Sequence, residues 1–459
     1  MTINIEDYKG RRLHFIGIGG CSMNGLAEIM HSNGYIVTGS DKVESGYTKR
    51  LRDMHLEIHI GHDAANVGDA DLVVYSAAIK DTNPEMQAAA DKGIPRIDRA
   101  TLLGLITKQF SEVIGVAGCH GKTTITSMLA LIFKHNNLNA TMHVGGEVPF
   151  LSGGTHIGNR DIFLTEACEY VESFLKLKVT AAILNNIDDD HLDYFKDIDH
   201  IYSAFEKYVA LLPENGLLCA CIDDPLVAKL AASTKCRIDT YGLSSPEAAW
   251  TASNITYGEF GNPSFDCVHN GEVVCRVDLI VPGRHNIINA LAAISLSHAF
   301  GIEAAHSAEA LKDYTLAKRR FEFYGEKNGV KLFHDYAHHP SEITACLDAA
   351  SRYPHNRIWC IFQCNSFSRA KTLFDKYATA FTHADFVLVP DIYPGREVDT
   401  GIIHATDLVR VISSSGTNCK YLPTFEDIKK HVSANAKSGD IVVAVGSGDV
   451  FKKVRILLD

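Results

Sequence analysis

The stretch Gly115-Val-Ala-Gly-Cys-His-Gly-Lys-Thr-Thr124 decides the fold of this chain, because it joins an apolar run to a helical pattern through a glycine-rich turn. Glycines let backbone amides surround phosphate oxygens, and the following helix adds the positive end of its dipole. Lys122 is placed to reach the β- and γ-phosphates, and the Thr123 hydroxyl to bind Mg²⁺. The strict pattern has a glycine where this chain has Val116, and the alternative is a structural turn beside a surface lysine. We interpret the stretch as a nucleoside triphosphate site.

The composition is that of a globular protein, and 459 residues are enough for about three domains. Hydrophobic residues make up 46% of the chain and charged residues 22%, so large cores can be buried. The net charge of −11 argues against nucleic acid and anionic membranes as partners. There is no signal-peptide pattern and no apolar run of about 18 residues, and the cysteines fit neither a zinc nor a disulfide framework. We therefore expect a cytoplasmic protein.

Residues 1–107 have the ground plan of a Rossmann-like domain, in which strands and helices alternate in a parallel, doubly wound sheet. An apolar strand runs into Gly17-Ile-Gly-Gly20, and a second strand ends about twenty residues later at Asp41. Ser22 replaces the third glycine of the dinucleotide fingerprint, which weakens the case for NAD. We expect the turn to bind a diphosphate and Asp41 to hold a ribose or base edge. The alternative is that the glycines only allow close packing of helix and strand.

Residues 108–317 predict a central ATP-binding domain with a mainly parallel sheet, whose strands end in carboxylates. One strand ends at Glu166 and Glu169, as a Mg²⁺ site beside a triphosphate requires. The next strand breaks into an acidic turn that contains His191. This histidine is either a metal ligand or a helix cap.

Short alternating strands at about 245–281 predict an antiparallel flap, and a helix rich in alanine and leucine follows it. Asn286 and Asn289 share one face of that helix. They either read a base edge or serve as a cap and a packed polar residue.

Residues 318–459 predict a third, Rossmann-like α/β domain, preceded by Lys318-Arg-Arg-Phe321 as a hinge. Ligands of open parallel sheets lie beyond the carboxyl ends of the strands. Polar clusters at 335–339 and 363–369 follow two strands and are expected at that edge.

Together these motifs resemble the Mur ligase family over essentially the whole chain. The motifs that carry the resemblance are Phe15-Ile-Gly-Ile-Gly-Gly20 with Met23, the loop 118–124, Glu166-Ala-Cys-Glu169, Asp190-His191 after Asn186-Ile187, Pro282-Gly-Arg-His-Asn286 with Asn289, Lys318-Arg-Arg-Phe321 and Asp335-Tyr-Ala-His-His-Pro340. The first and last motifs most resemble the branch that adds L-alanine to UDP-N-acetylmuramate. The branch that adds a whole tripeptide to the same sugar nucleotide for recycling is the alternative.

The resemblance implies a ligase of peptidoglycan synthesis that uses ATP and Mg²⁺ or Mn²⁺. ATP phosphorylates the lactyl carboxylate of UDP-N-acetylmuramate, and the amine of alanine attacks the acyl phosphate. Both steps gather negative charge at one point, so cations and oriented N–H donors should dominate catalysis. The implied partners are the small-molecule substrates UDP-N-acetylmuramate, L-alanine and ATP, with neither nucleic acid nor a membrane, and the implied state is a monomer or homodimer.

The resemblance also implies a role for each matching residue. The phosphates are held by Gly118, Cys119, His120, Gly121, Lys122, Thr123 and Thr124. The metal is held by Thr123, Glu166 and His191. Adenine contacts are Asn286 and Asn289, and Arg320 and Asp335 touch ATP. The amino-acid side has Tyr336, His338 and Arg369, the UDP-sugar site has Gly17, Gly19, Gly20, Asp41 and Ser76, and the catalytic residues are Lys122, His191 and Arg320.

This chain departs from the family pattern at a few positions. Cys168 stands where many relatives have aspartate, and a thiol cannot replace a hard oxygen ligand of Mg²⁺, so we expect no metal role there. Asn365 and Ser366 replace residues near the expected amino-acid site, which leaves serine, glycine or a peptide as alternatives to alanine. Lys207 lies near the position of a carbamylated lysine in sister ligases, and we interpret it as a solvated helix lysine.

Two other function classes remain as alternatives. A nicotinamide-dependent oxidoreductase would use the unit from Gly17 to Asp41, but it leaves Lys122 and Thr123 without a purpose. An inactive nucleotide-binding regulator is disfavoured, because the candidate catalytic and metal-binding residues are all present.

Overall fold

The computed structural model describes residues 3–151, 153–192, 194–395 and 397–459, in which strands and helices alternate along most of the chain. The strands are β1 (Arg12–Ile16), β2 (Ile36–Asp41), β3 (Glu57–Ile60), β4 (Leu72–Tyr75), β5 (Arg96–Asp98), β6 (Glu112–Ala117), β7 (Thr141–Val148), β8 (Gly153–His156), β9 (Ile162–Glu166), β10 (Ala181–Leu184), β11 (Leu217–Cys221), β12 (Arg237–Tyr241), β13 (Trp250–Tyr257), β14 (Pro263–His269), β15 (Glu272–Asp278), β16 (Glu322–Lys327), β17 (Val330–Asp335), β18 (Ile358–Phe362), β19 (Phe386–Val389), β20 (Cys419–Tyr421) and β21 (Ile441–Val445). The α-helices are α1 (Cys21–Ser32), α2 (Gly46–Asp53), α3 (Pro84–Asp91), α4 (Arg99–Thr107), α5 (Lys122–His135), α6 (Ile198–Val209), α7 (Pro225–Ser233), α8 (His285–Ala299), α9 (Ala304–Leu311), α10 (Pro340–Ser351), α11 (Phe367–Thr372), α12 (Ala405–Ser414), α13 (Phe425–Asn435) and α14 (Val450–Lys453). Short 3-10 helices are Ile5–Tyr8, Ala64–Val67, Pro149–Leu151, Tyr170–Lys176, Asp375–Thr379 and Val454–Leu458.

The chain divides into two compact units. The first unit contains Met1–Asn186 and Ser203–Asp239, and the second contains Ile187–Tyr202 and Thr240–Asp459. The chain passes from one unit to the other after Asn186, within α6 and within β12. Within the described residues, every helix is too short or too polar to cross a membrane.

The first unit begins with a five-stranded sheet in the order β3-β2-β1-β4-β5, and all of its strands are parallel. Strands β1 and β4 are almost continuously buried, as expected when helices cover both faces of a parallel sheet. The prediction of a parallel, doubly wound N-terminal sheet is confirmed. The strand order reverses between β1 and β4, and ligands of such folds bind at this point.

Six neighbouring strands of a second sheet lie in the first unit, in the order β11-β10-β6-β9-β7-β8. Its strands are parallel except for β8, which is antiparallel to β7. The phosphate loop follows β6, between the neighbouring strands β9 and β10. The predicted mainly parallel central sheet is confirmed.

The second unit contains the antiparallel strands β13, β14 and β15, which confirm the predicted flap. It also contains a six-stranded sheet in the order β16-β17-β21-β18-β19-β20, in which β16 alone among the described strands is antiparallel to its neighbour. Alternate residues of β18 enter two different buried clusters: Phe362 lies in one, and Trp359 in the other. Apolar residues therefore pack on both faces of this sheet. The polar clusters at 335–339 and 363–369 follow β17 and β18 at its carboxyl edge, as the sequence predicts.

Candidate active site

The phosphate loop is a sharply curved turn between β6 and α5. Gly118 has φ +131° and Gly121 has φ +86°, values that favour glycine. A Cβ on Gly118 would lie 3.0 Å from the backbone nitrogen of Asn186. The amides of Cys119 and His120 donate to the backbone and side-chain oxygens of Asn186, at 3.2 and 2.8 Å. These two loop amides therefore fix the shape of the loop, and α5 begins directly after it at Lys122.

The Lys122 ammonium group is folded back over the loop. It donates to the carbonyl oxygens of Gly118 and Cys119 at 2.6 and 3.0 Å, and it lies 2.9 Å from Oε2 of Glu169. Burial alone would lower the pKa of Lys122, but the adjacent Glu169 carboxylate raises it above its usual range. The lysine is therefore a fixed positive charge at the N-terminus of α5, where a triphosphate would approach.

Glu166 ends β9, the strand that pairs with β6 beside the loop. Its Oε1 accepts the amide of Gly145 at 2.7 Å, and a Cβ on Gly145 would lie 2.9 Å from the carboxylate. Close approach of the glycine backbone therefore sets the direction of the carboxylate. Burial raises the pKa of the neighbouring Cys168 thiol to about 11, so this side chain is protonated at neutral pH.

The candidate diphosphate site lies at the carboxyl ends of β1, β2 and β4. Gly17 has φ +83°, and a Cβ there would lie 3.2 Å from the Cβ of Ser76. Asp41 Oδ2 accepts the amide of Gly19 at 2.9 Å, and a Cβ on Gly19 would lie 2.8 Å from the same oxygen. Gly20 is the residue before α1. The structure brings all five predicted residues together at the point where the strand order reverses.

His191 lies in the second unit, in the turn that follows β10. Its φ of +53° is uncommon for a residue with a side chain. Its amide donates to Asp190 Oδ1 at 2.7 Å, and Arg369 Nη2 lies 3.4 Å from the same oxygen. His191 and Arg369 are thus brought together through Asp190. Thr123 and Glu166 belong to the first unit.

Asp335 and Arg320 form part of a polar cluster at the carboxyl end of β17. The two Asp335 oxygens accept the amides of Phe321 and Ala337, each at 2.7 Å. Burial raises the pKa of the Asp335 carboxyl, against the opposing effect of Arg320. Arg320 lies over the Tyr336 ring, with 5.4 Å from its guanidinium carbon to the ring centroid. The predicted ATP-contacting pair therefore adjoins the predicted amino-acid side.

His338 is buried in the same cluster. Its Nδ1 lies 3.1 Å from the Tyr336 carbonyl oxygen and 3.2 Å from Glu342 Oε2. Burial lowers the pKa of His338 to about 4, although Glu342 acts in the opposite direction. Glu342 also faces Arg320 Nη1, at 3.9 Å. A neutral His338 and a charged Arg320 are therefore linked by one carboxylate.

The remaining candidates have local structural partners. Asn289 donates to Asn286 Oδ1 at 3.0 Å, and Asn286 donates to the Pro282 carbonyl at 2.7 Å. These contacts are compatible with a role in base binding and with a purely structural role. Asn365 donates to Ser447 Oγ at 2.8 Å. Ser366, with φ +74°, caps α11. Lys207 is half exposed and pairs with Glu172 at 2.8 Å.

Three contacts in the site were not predicted from the sequence. Asn186 shapes the phosphate loop, Glu169 pairs with Lys122, and Glu342 joins His338 to Arg320. The carboxylate pair at the end of β9 was a signal for Glu169. Nothing in the local sequence singles out Asn186 or Glu342, because their partners are set by tertiary packing.

Comparison with known proteins covers the whole chain. Three family models match it in series: "Mur ligase family, catalytic domain" at residues 12–111, "Mur ligase middle domain" at 116–297 and "Mur ligase, glutamate ligase domain" at 319–448. A UDP-N-acetylmuramate–L-alanine ligase of Acetivibrio thermocellus is 46% identical over 99% of this chain and 97% of its own length. One from Alkaliphilus metalliredigens is 43% identical over 100% of this chain and 99% of its own length.

Two solved structures are also similar to this chain over nearly its whole length. A UDP-N-acetylmuramate-alanine ligase of Thermotoga maritima aligns with a TM-score of 0.80 and 28% identity, over 98% of both chains. A murein peptide ligase of Psychrobacter arcticus aligns with a TM-score of 0.73 and 26% identity, also over 98% of both chains. With full-length relatives above 40% identity and all three domain models matched in order, this chain belongs to the Mur ligase family.

Proposed function

We propose that the chain joins L-alanine to the lactyl carboxylate of UDP-N-acetylmuramate, with ATP converted to ADP and phosphate, in peptidoglycan precursor synthesis. The observation that carries the chemistry is Lys122, held at the start of α5 by loop carbonyls and beside Glu169. A partly buried, fixed cation at a helix N-terminus is suited to a triphosphate. The names of the full-length relatives support the two other substrates.

ATP fits the phosphate loop for a steric reason. Gly118 and Gly121 have backbone angles that favour glycine, and they let the loop curve around a phosphate. In the proposed reaction the lactyl carboxylate attacks the γ-phosphate, and the alanine amine attacks the resulting acyl phosphate. Lys122 and the backbone amides at the N-terminus of α5 stabilise the charge that develops on the phosphate oxygens. Asn286 and Asn289 hold the adenine, and Arg320 and Asp335 contact ATP.

We assign the divalent cation to three residues with different donor groups. Thr123 supplies a hydroxyl, Glu166 a carboxylate oriented by Gly145, and His191 an imidazole. A bound Mg²⁺ or Mn²⁺ supplies charge neutralisation where the carboxylate and the triphosphate meet. Cys168 takes no part, since sulfur does not replace a hard oxygen ligand of Mg²⁺.

The UDP portion and the amino acid bind at separate groups of residues. The UDP portion binds at Gly17, Gly19, Gly20, Asp41 and Ser76. Tyr336, His338 and Arg369 receive the amino acid, and the neutral His338 imidazole can donate or accept one hydrogen bond there. We assign these roles to domains at 1–107, 108–317 and 318–459. The protein is proposed to act in the cytoplasm as a monomer or homodimer on small-molecule substrates.

The test is phosphate release by the full chain with ATP, Mg²⁺ and UDP-N-acetylmuramate, supplied with L-alanine, L-serine, glycine or the tripeptide. Release that is strongest with L-alanine is expected. Release with the tripeptide alone would replace the proposed amine substrate. No release with any of the four would contradict the ligase activity, and an inactive nucleotide-binding protein would then be favoured.

A further inference from the structure

The turn that carries His191 is attached to the C-terminal part of the second unit at three successive aspartates. Asp188 Oδ2 accepts the Ser341 hydroxyl at 2.7 Å. Asp189 Oδ2 accepts the Lys376 ammonium group at 2.6 Å. Asp190 Oδ1 lies 3.4 Å from Arg369 Nη2. Each carboxylate thus has a partner from a different helical segment: α10, the 3-10 helix Asp375–Thr379 and α11.

Two further contacts fix the backbone of this turn. His339, which is fully buried, donates from Nε2 to the carbonyl oxygen of Asp189 at 2.9 Å. Leu192, directly after His191, packs against the apolar cluster that contains Phe362. The turn is therefore held by its side chains and by its backbone, on both sides of the histidine.

The backbone conformation of His191 is strained, and these contacts help to hold it. A residue with a side chain at φ +53° costs on the order of 1–3 kcal/mol, and it persists where the surroundings over-determine it. The His191 amide is fixed by Asp190, which in turn faces Arg369. Strained residues of this kind cluster at functional sites.

The ion pair of Asp189 and Lys376 is not explained by global stability. Lys376 has 45% of its side chain exposed, and exposed pairs contribute about 0–1 kcal/mol. Lys376 also lies 3.9 Å from Asp188 Oδ1, so one cation offsets two adjacent anions. Without it, the two adjacent carboxylates would repel each other in the turn that carries His191.

We propose that Lys376 and Ser341 are positioning residues for His191, through which the amino-acid-binding part of the chain sets the affinity for the divalent cation. The inference rests on the metal-ligand role given to His191 in the proposed function.

The first experiment measures Mn²⁺ binding by electron paramagnetic resonance, in the full chain with a non-hydrolysable ATP analogue. Lys376→Met, which keeps most of the side-chain stem, is expected to weaken Mn²⁺ binding by about tenfold, as loss of an outer-shell partner does. Lys376→Arg should restore most of the affinity. Ser341→Ala should weaken binding in the same direction, and His191→Ala sets the size of the full loss.

The matched control is Lys371→Met, which removes an exposed lysine of neighbouring α11. It should leave Mn²⁺ affinity unchanged. Hydrogen exchange should be faster at 187–192 in Lys376→Met and unchanged in the phosphate loop, which separates local displacement from unfolding.

The Mn²⁺ affinities of these variants test the positioning role and the metal-ligand role of His191 separately. Equal Mn²⁺ affinity in Lys376→Met and the unsubstituted chain would overturn the positioning role and leave the ligase proposal standing. Mn²⁺ affinity unaffected by His191→Ala would remove the metal role of His191, and the inference with it. Equal losses in Lys371→Met and Lys376→Met would also overturn it, because a general charge effect would then explain both.

Discussion

The ammonium nitrogen of Lys122 lies 2.9 Å from Oε2 and 3.0 Å from Oε1 of Glu169, and the Glu169 side chain is 1% exposed. Glu169 lies directly before the 3-10 helix Tyr170–Lys176, in the segment that follows β9, and Lys122 begins α5, so the pair connects α5 to that segment. A buried pair costs much to desolvate, and loss of one partner leaves an uncompensated charge. Both residues therefore matter for the fold of the loop and for its charge.

Lys122→Ala should abolish phosphate release while UDP-sugar binding stays largely intact. The substitution removes the cation nearest the loop but leaves the site at Gly17 and Asp41 unchanged. Turnover and UDP-sugar affinity, measured by phosphate release and calorimetry, check this. Lys134→Ala, at the far end of the same helix, is the control. Retained turnover in Lys122→Ala would contradict the phosphate-loop assignment.

Removal of either member of the Lys122–Glu169 pair should destabilise the protein, by about 3 kcal/mol or more. The double variant Lys122→Met with Glu169→Gln should lose less than the sum of the single losses, because it leaves no lone buried charge. Urea unfolding measures the three losses. The exposed pair Lys312–Glu309 serves as the control, and its losses should be close to additive. Additive losses at Lys122 and Glu169 would show that their contact contributes nothing to stability.

Gly19→Ala should weaken UDP-sugar binding strongly. The added Cβ would lie 2.8 Å from Asp41 Oδ2, so either the turn or the carboxylate must move. Calorimetry with UDP-N-acetylmuramate should show a large loss of affinity, and the KM for ATP should hardly change. The control is Gly46→Ala in α2, where an added Cβ meets none of the described atoms within 4 Å. A diphosphate site elsewhere is indicated if both variants bind equally well.

The free energy of unfolding should decrease at low pH because of His143. This buried residue of β7 contacts Ser22 of α1. Burial lowers its pKa to about 3, whereas an unfolded histidine titrates at about 6.5. Between these values the unfolded state binds more protons, so the free energy of unfolding decreases as the pH falls from 6.5 towards 3. The slope from this residue approaches about 1.4 kcal/mol per pH unit.

The check is urea unfolding at pH 7 and pH 4.5. His143→Gln, which retains a group able to bond with Ser22 Oγ, should lose less stability over this interval than the unsubstituted chain. His31→Gln, at an exposed position, should behave like the unsubstituted chain. An unchanged pH slope in His143→Gln would mean that the acid response comes from other groups.

The sheets and the glycine turns could be predicted because their signals are local. Continuous apolar runs such as β4 and β6 fit parallel strands covered on both faces, and Gly17 and Gly118 mark turns that a Cβ would obstruct. The contacts of Glu342 with Arg320 and of Lys376 with Asp189 could not be predicted, because these partners lie in distant segments of the chain. Periodicity identifies a strand end, but the direction of a side chain beyond it depends on the whole domain.

The protonated thiol of Cys168 has a consequence for covalent chemistry. Alkylating reagents and peroxides react with the thiolate, and burial raises the pKa of Cys168 to about 11, so the thiolate is a small minority at pH 7. The strand end beside the phosphate loop should therefore resist electrophiles that modify ordinary exposed thiols. Cysteine-directed probes attached at newly introduced surface positions could then report on nucleotide binding while this neighbourhood stays unmodified.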